Sequence, residues 1–246
     1  WNLLATNYLN QGGMGLRSMA EGFSLARESA ARALDSDPDF SPTHATLAWI
    51  AIVAERDLAE AAAHLTKALE LEPGNPDTQR RSAVLLNHLG RLDMAIALEE
   101  WVTTRDPVNP AVHHNLGLSN YYGHRYETAI DSWRTVLRLF PGRLGAHFSI
   151  GCALLMRGDV KSALAEMQNE TSEVHRLIGL TMAYSGLGQM AHSDASLAIL
   201  IQKYADDAAV NIAYALAYRE ETDRAFVWLE KSVENCDPGL SEVAME

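Results

Sequence analysis

Residues 109–141 read NPAVHHNLGLSNYYGHRYETAIDSWRTVLRLFP, and this stretch decides the fold. Its first part predicts a helix over residues 111–122. Gly123 and His124 then form a turn, because glycine tolerates the positive φ at which a helix can end. A second helix is expected over residues 126–140. Pro141 stops it, having no N–H to donate and clashing with the preceding turn. Gly117 in the first helix and Ala129 in the second are small where the two rods must approach closely. Trp133 and Val136 follow Ala129 at helical spacing and extend an apolar stripe.

The same pattern recurs along the chain. Pro38, Pro73, Pro107 and Pro141 are separated by 35, 34 and 34 residues, although only 8 of the 246 residues are proline. Ala26, Ala61, Ala95, Ala129 and Ala163 keep the same beat, and each of the first four lies 12 residues before one of those prolines. A fixed period of this length signals a solenoid of helix pairs, in which each pair buries its apolar face only by stacking on its neighbours.

These units resemble the tetratricopeptide repeat, a 34-residue helix–turn–helix with a small residue in helix A, a central turn glycine, an alanine opening helix B and a closing proline. The stretches NLGLSNYYGHRYETAIDSW and SIGCALLMRGDVKSALAEM match best, and SAVLLNHLGRLDMAIALEEW and AEAAAHLTKALELEPGNP match well. TLAWIAIVAERDLAEA carries one extra residue and lacks the turn glycine. Beyond Ala163 the closing proline is missing. The pattern resumes with Gly188 at the turn and Ser193 in the alanine position, 30 residues on, so helix B of the fifth unit should end near Asn169. The last unit has Ala225 in that position, with Pro238 closing it. At the amino end AEGFSLARESAARALDSDPDF is a clean helix B, and WNLLATNYLNQ, followed by Gly12, Gly13 and Gly15, is its weaker partner.

The expected fold is therefore all-α, a right-handed α-α superhelix of about seven helix–turn–helix units in one array spanning residues 1–246. The units fall near residues 1–40, 41–75, 76–109, 110–143, 144–173, 174–206 and 207–240. The carboxyl third, with LGQMAHSDASLAIL and AYREETDRAFVWLEKS, resembles the tail repeats of bacterial multidomain proteins that carry a nucleotide-cyclase or winged-helix domain upstream. Position 1 is Trp, and an excised module of such a protein is expected.

Charge narrows the function. Lys and Arg number 20 against 32 Asp and Glu, a net −12. No clustered basic field can be assembled for nucleic acid or for an anionic membrane face. The densest apolar stretch, residues 45–54, is about half the length of a membrane span. No apolar segment precedes the first basic residue, Arg17, so no secretory leader is read. Two cysteines make no disulfide framework. A cytoplasmic location without membrane insertion is expected.

In the family the A helices line a concave groove, so positions i, i+4, i+7 and i+8 of each A helix become surface residues. The third unit would present Arg80, Val84, Asn87 and His88. The fourth would present His114, Leu118, Tyr121 and Tyr122, with Asn115 beside them. The fifth would offer Phe148, Cys152, Leu155 and Met156, and the last Val210, Tyr214, Ala217 and Tyr218. Of these, Tyr121, Tyr122, Phe148 and Met156 are the expected apolar anchors for a partner. Arg80, Asn87, His88, His114 and Asn115 are the expected hydrogen-bonding ones. The alternative reading places Phe148, Leu155 and Met156 in the core. Trp101, Trp133 and Trp228 lie on B helices and read as packing residues. The family's carboxylate clamp is broken: Arg80 and Asn115 are compatible, but Val84, Gly145 and Ser149 stand where Asn, Lys and Arg are needed.

No catalytic constellation stands out. There is no Cys-x-x-Cys or His-Glu-x-x-His, and the nine histidines make no i, i+4 pair. QGGMG at residues 11–15 lacks the Lys-Ser/Thr of a phosphate loop. His147 and Cys152 lie on different sides of one helix. The sequence points to a non-catalytic scaffold that takes a peptide or helix in its groove, without metal or cofactor. The alternatives are a self-associating (homo-oligomeric) module, or the regulatory part of an enzyme.

Overall fold

The structure, a computed structural model, describes residues 1–13 and 16–235. Gly15 and Pro238, used in the reading above, lie outside the described residues. The chain divides into two compact units, Trp1–Pro107 and Val108–Glu246. Among the described residues all regular structure is helical.

Unit 1 contains three helical hairpins. They pair α1 (Asn2–Gly13) with α2 (Met19–Ser36), α3 (Ser41–Ile50) with α4 (Leu58–Leu71), and α5 (Pro76–His88) with α6 (Leu92–Thr103). Unit 2 contains four. They pair α7 (Pro110–Tyr122) with α8 (Tyr126–Leu139), α9 (Ala146–Met156) with α10 (Val160–Asn169), α11 (Glu173–Gly186) with α12 (Met190–Tyr204), and α13 (Ala209–Tyr218) with α14 (Thr222–Glu234). The seven pairs match the seven read from the repeat, and the fold is an all-α tetratricopeptide-type superhelix.

Prolines punctuate the hairpins at both ends. Asp37, Glu72 and Phe140 cap their helices outside the helical region, with φ of −149°, −138° and −143°, just before Pro38, Pro73 and Pro141. That is the backbone a following proline enforces. A second series, Pro42, Pro76 and Pro110, opens the next A helix in its first turn. There the missing N–H costs nothing and the fixed φ is already helical. Asn75 and Asn109 complete two of these starts by accepting backbone N–H bonds with their side chains.

The alanine beat marks where the helices touch. Ala26, Ala61, Ala95, Ala129 and Ala163 are all fully buried, as is Ser193, and Ala225 is nearly so. Ser193 is tolerated because its hydroxyl donates to Thr181 O at 2.7 Å and accepts from Arg219 Nη1 at 2.9 Å. Gly117 is small for a comparable reason: a Cβ there would lie 2.4 Å from Trp133 Nε1. Gly151 and Gly179 make room in the same way for Met167, at 2.8 and 2.6 Å.

The turns of six hairpins, from the second to the seventh, share one device, a single left-handed residue. It is Gly90, Gly158 and Gly188, but also Arg56, His124 and Glu220, with φ between 57° and 81°. In the fourth hairpin the left-handed residue is therefore His124 and not Gly123, whose φ is −79°. The extra residue of the second hairpin is absorbed as a π-helical turn, Ala51–Glu55, which continues α3 and delivers Arg56 to the left-handed position. A π turn is a common way to house a one-residue insertion in a helix.

The fifth hairpin ends early, with α10 stopping at Asn169 as the shortened spacing required. Glu170 follows in an extended conformation and is 1% exposed. One of its carboxylate oxygens accepts from Phe148 N at 3.2 Å and the other from Ser172 N at 2.8 Å. It thus serves the N-terminal ends of both α9 and α11, the favourable place for negative charge.

Candidate functional site

The A helices of unit 2, α7, α9, α11 and α13, converge on a cavity of about 470 Å³. From α7 come His114, Leu118, Tyr121 and Tyr122, and from α9 Phe148, Ser149 and Cys152. His175 of α11 and Val210, Asn211, Tyr214 and Ala217 of α13 complete most of the wall, and Arg143, Leu144 and Gly145 come from the loop before α9. Trp133 of α8 forms part of the floor.

Each anchor is held by packing. Trp133 is 1% exposed, and its indole N–H donates to His114 O at 3.2 Å. The Tyr121 ring rests against Trp133, Tyr122 and Tyr126 at centroid distances of 6.1, 5.5 and 5.8 Å. Its hydroxyl meets the Tyr214 hydroxyl at 3.1 Å, linking α7 to α13 across 93 residues of sequence. Phe148 leans on the His175 ring at 5.5 Å, and His175 Nδ1 is fixed by Ser172 Oγ at 2.8 Å. Edge and tilted contacts of this kind are the favoured geometries of aromatic pairs.

The polar part of the wall is uneven. Burial, helped by the nearby Arg143 guanidinium, lowers the His114 pKa to about 4, so the imidazole is neutral at physiological pH. Its Nδ1 is sealed from solvent with no hydrogen-bond partner among the described residues. Burial also lowers the His175 pKa, against a smaller opposing pull from Glu170. Arg143 is exposed at the rim. Among the described residues lining the cavity there is no aspartate or glutamate. No cluster of three His, Cys, Asp or Glu able to hold a metal occurs among the described residues.

The sequence-derived groove residues separate into two groups. His114, Leu118, Tyr121 and Tyr122 all line the cavity, as do Phe148 and Cys152, and Val210, Tyr214 and Ala217. Leu155 is buried in the core, and Met156 is half exposed at the end of α9, away from the cavity. Asn115 sits on α7 outside the lining, its Nδ2 buried without a partner among the described residues. In unit 1, Arg80 is engaged by Asp77 at 2.6 Å and lies 5.9 Å from the Trp49 ring. Asn87 is buried, so it is not a presented hydrogen-bonding anchor. His88 is half-buried, and burial lowers its pKa. Of the three tryptophans read as packing residues, Trp133 is fully buried. Trp101 and Trp228 are half-buried, each under a cation, Arg105 at 3.5 Å and Lys231 at 5.0 Å. The A-helix rule did not reach Arg143, which sits in a loop, or His175, in a unit whose start the missing proline blurs.

Two profiles of the family described as tetratricopeptide repeat match residues 53–116 and 114–170. The chain is a tetratricopeptide repeat protein. Among curated proteins none matches in sequence. Solved structures are similar in fold at low identity. PilW, described as a widely conserved type IV pilus biogenesis factor, is 17% identical with a TM-score of 0.69, over 82% of this chain and 91% of its own. A tetratricopeptide repeat protein from Parabacteroides merdae is 17% identical with a TM-score of 0.68, over 99% and 98%. PilF of Pseudomonas aeruginosa is 18% identical with a TM-score of 0.61, over 82% and 92%. Among the described residues no helix is long and apolar enough to cross a membrane.

Proposed function

We propose that this chain is a non-catalytic protein-interaction scaffold that receives a partner's peptide or helix on the concave face of unit 2. One observation carries the reading: Leu118, Tyr121, Tyr122 and Phe148 line a common cavity although they come from two hairpins. Aromatic side chains gathered in a pocket are the usual centre of a binding surface. Arg80, His88 and Asn115 are peripheral contacts in this reading, and Met156 an outlying apolar one. The resemblance of the carboxyl third makes the array one module of a larger bacterial regulatory protein.

The test is a display selection of peptides on the purified chain, followed by titration of the selected peptide. Phe148→Ala and Tyr122→Ala should each weaken binding by about 2 kcal/mol, as for a central anchor. Equal affinity for wild type and both variants removes the assignment. A second reading, self-association, is favoured by α14, where Phe226, Val227 and Val233 are 61, 63 and 62% exposed. Light scattering that shows one mass at every concentration rejects this second reading.

A further inference from the structure

The cavity of unit 2 also has the charge and enclosure of a small-molecule site. We propose that it binds a small amphipathic monoanion, an apolar or aromatic body ending in one carboxylate. This goes beyond the partner-binding reading and does not need it, since such a ligand can bind with no protein partner present.

Size comes first. At about 470 Å³ the cavity lies within the range that holds a small organic ligand. The Tyr121–Tyr214 hydroxyl contact closes one passage across the face. A compact ligand can sit beside this contact without parting it.

Charge decides the sign. The protein carries a net −12, yet among the described residues that line this cavity none is a carboxylate, and Arg143 is the one permanently charged side chain. Other arginines of unit 2 are occupied: Arg157 by Glu127 at 2.8 Å, and Arg219 by Asp194 and Glu221, both at 2.6 Å. Arg143 forms no ion pair with any described residue. A planar guanidinium is suited to a carboxylate, which it can grip with two parallel bonds.

The wall supplies a second, independent sign. His114 lines the cavity but its Nδ1 is sealed and unbonded among the described residues, a standing cost that a turn of the ring toward a ligand oxygen in the cavity would relieve. The imidazole is neutral, so it can present an N–H to a carboxylate oxygen without adding a second buried charge. The Leu118, Leu144, Phe148 and Trp133 side chains then cover the apolar body.

The test is calorimetric titration of the full chain with phenylbutyrate and octanoate, against phenylbutanol and phenylbutylamine. The acids should bind, the neutral alcohol at least about tenfold more weakly, and the amine not measurably. Arg143→Gln should lose about tenfold in affinity for the acids with an unchanged melting temperature, as expected for an exposed side chain. His114→Asn should lose affinity for the acids but leave that for the alcohol unchanged. Failure of both acids at about 1 mM, the weak limit of specific binding, overturns the proposal. So does equal binding of acid and alcohol, or indifference to Arg143→Gln. Tighter binding of a peptide with a carboxyl-terminal phenylalanine than of either acid overturns it too.

Discussion

Units 1 and 2 are built from the same hairpin, yet their interiors differ. In unit 2 most of the buried apolar residues form one continuous cluster running from Ala129 on α8 to Ala225 on α14. In unit 1 the clusters are two and smaller, one around Ala26, Ala30 and Ile50 and one around Ala61, Leu65 and Leu85. Both units also carry ion pairs between hairpins. Arg27 of α2 is paired with both Glu55 and Glu60, and Arg81, 9% exposed, bonds Asp77 at 2.8 Å and Ala45 O at 3.0 Å. A continuous apolar cluster couples its hairpins into one cooperative block, whereas ion pairs hold neighbouring hairpins at points. The repeat thus sets a hairpin, and the residues that vary around it decide whether an inner face is polar or hollow.

The sharpest way to break this comparison is Trp133→Ala. It removes the largest fully buried side chain of unit 2 and should cost about 3–5 kcal/mol in denaturant unfolding. A loss below about 1 kcal/mol would mean the cluster is not continuous.

Acidification comes next. The native pKa of His114, about 4, lies below its ordinary 6.5, so the unfolded chain takes up the proton first. Stability is complete above about pH 6.5 and falls as pH drops toward 4, by at most about 3 kcal/mol from this residue. His114→Asn should flatten that slope, and an unchanged slope refutes the assignment.

Gly117→Ala places a methyl against the Trp133 indole and should cost about 1–3 kcal/mol by overpacking. Tyr214→Phe removes the hydroxyl contact to Tyr121 and should cost about 1 kcal/mol, with hydrogen exchange rising on α13. The smallest effect is a gain. Glu220 occupies a left-handed turn position, φ 63°, where Gly188 stands in the preceding hairpin. Glu220→Gly should raise unfolding stability by about 0.5–1 kcal/mol, and a loss would show that the turn is not strained.

Much of the hairpin is legible in the residues because its determinants are local. Gly117 meets Trp133 across one short turn, so its small size reports a contact between the two helices of the hairpin. The end of α10 was legible for the same reason, since a spacing of 30 leaves too few residues for a full helix B. The turn of the fourth hairpin was legible at Gly123 and His124, but the left-handed residue in it is His124, because glycine is only a preference at that position and His124 takes it at modest cost. Asn87 was misread as presented because helical phase identifies a face but not the depth of its neighbours.

The thirty-four-residue beat by itself determined that this chain is a series of paired helices and which positions face one another within each pair. Only the tertiary structure decided that four A helices of unit 2 enclose a cavity, that Arg143 reaches its rim and that Tyr121 meets Tyr214. Those relations join residues tens of positions apart, and small packing angles accumulate from one hairpin to the next. No local pattern records that sum.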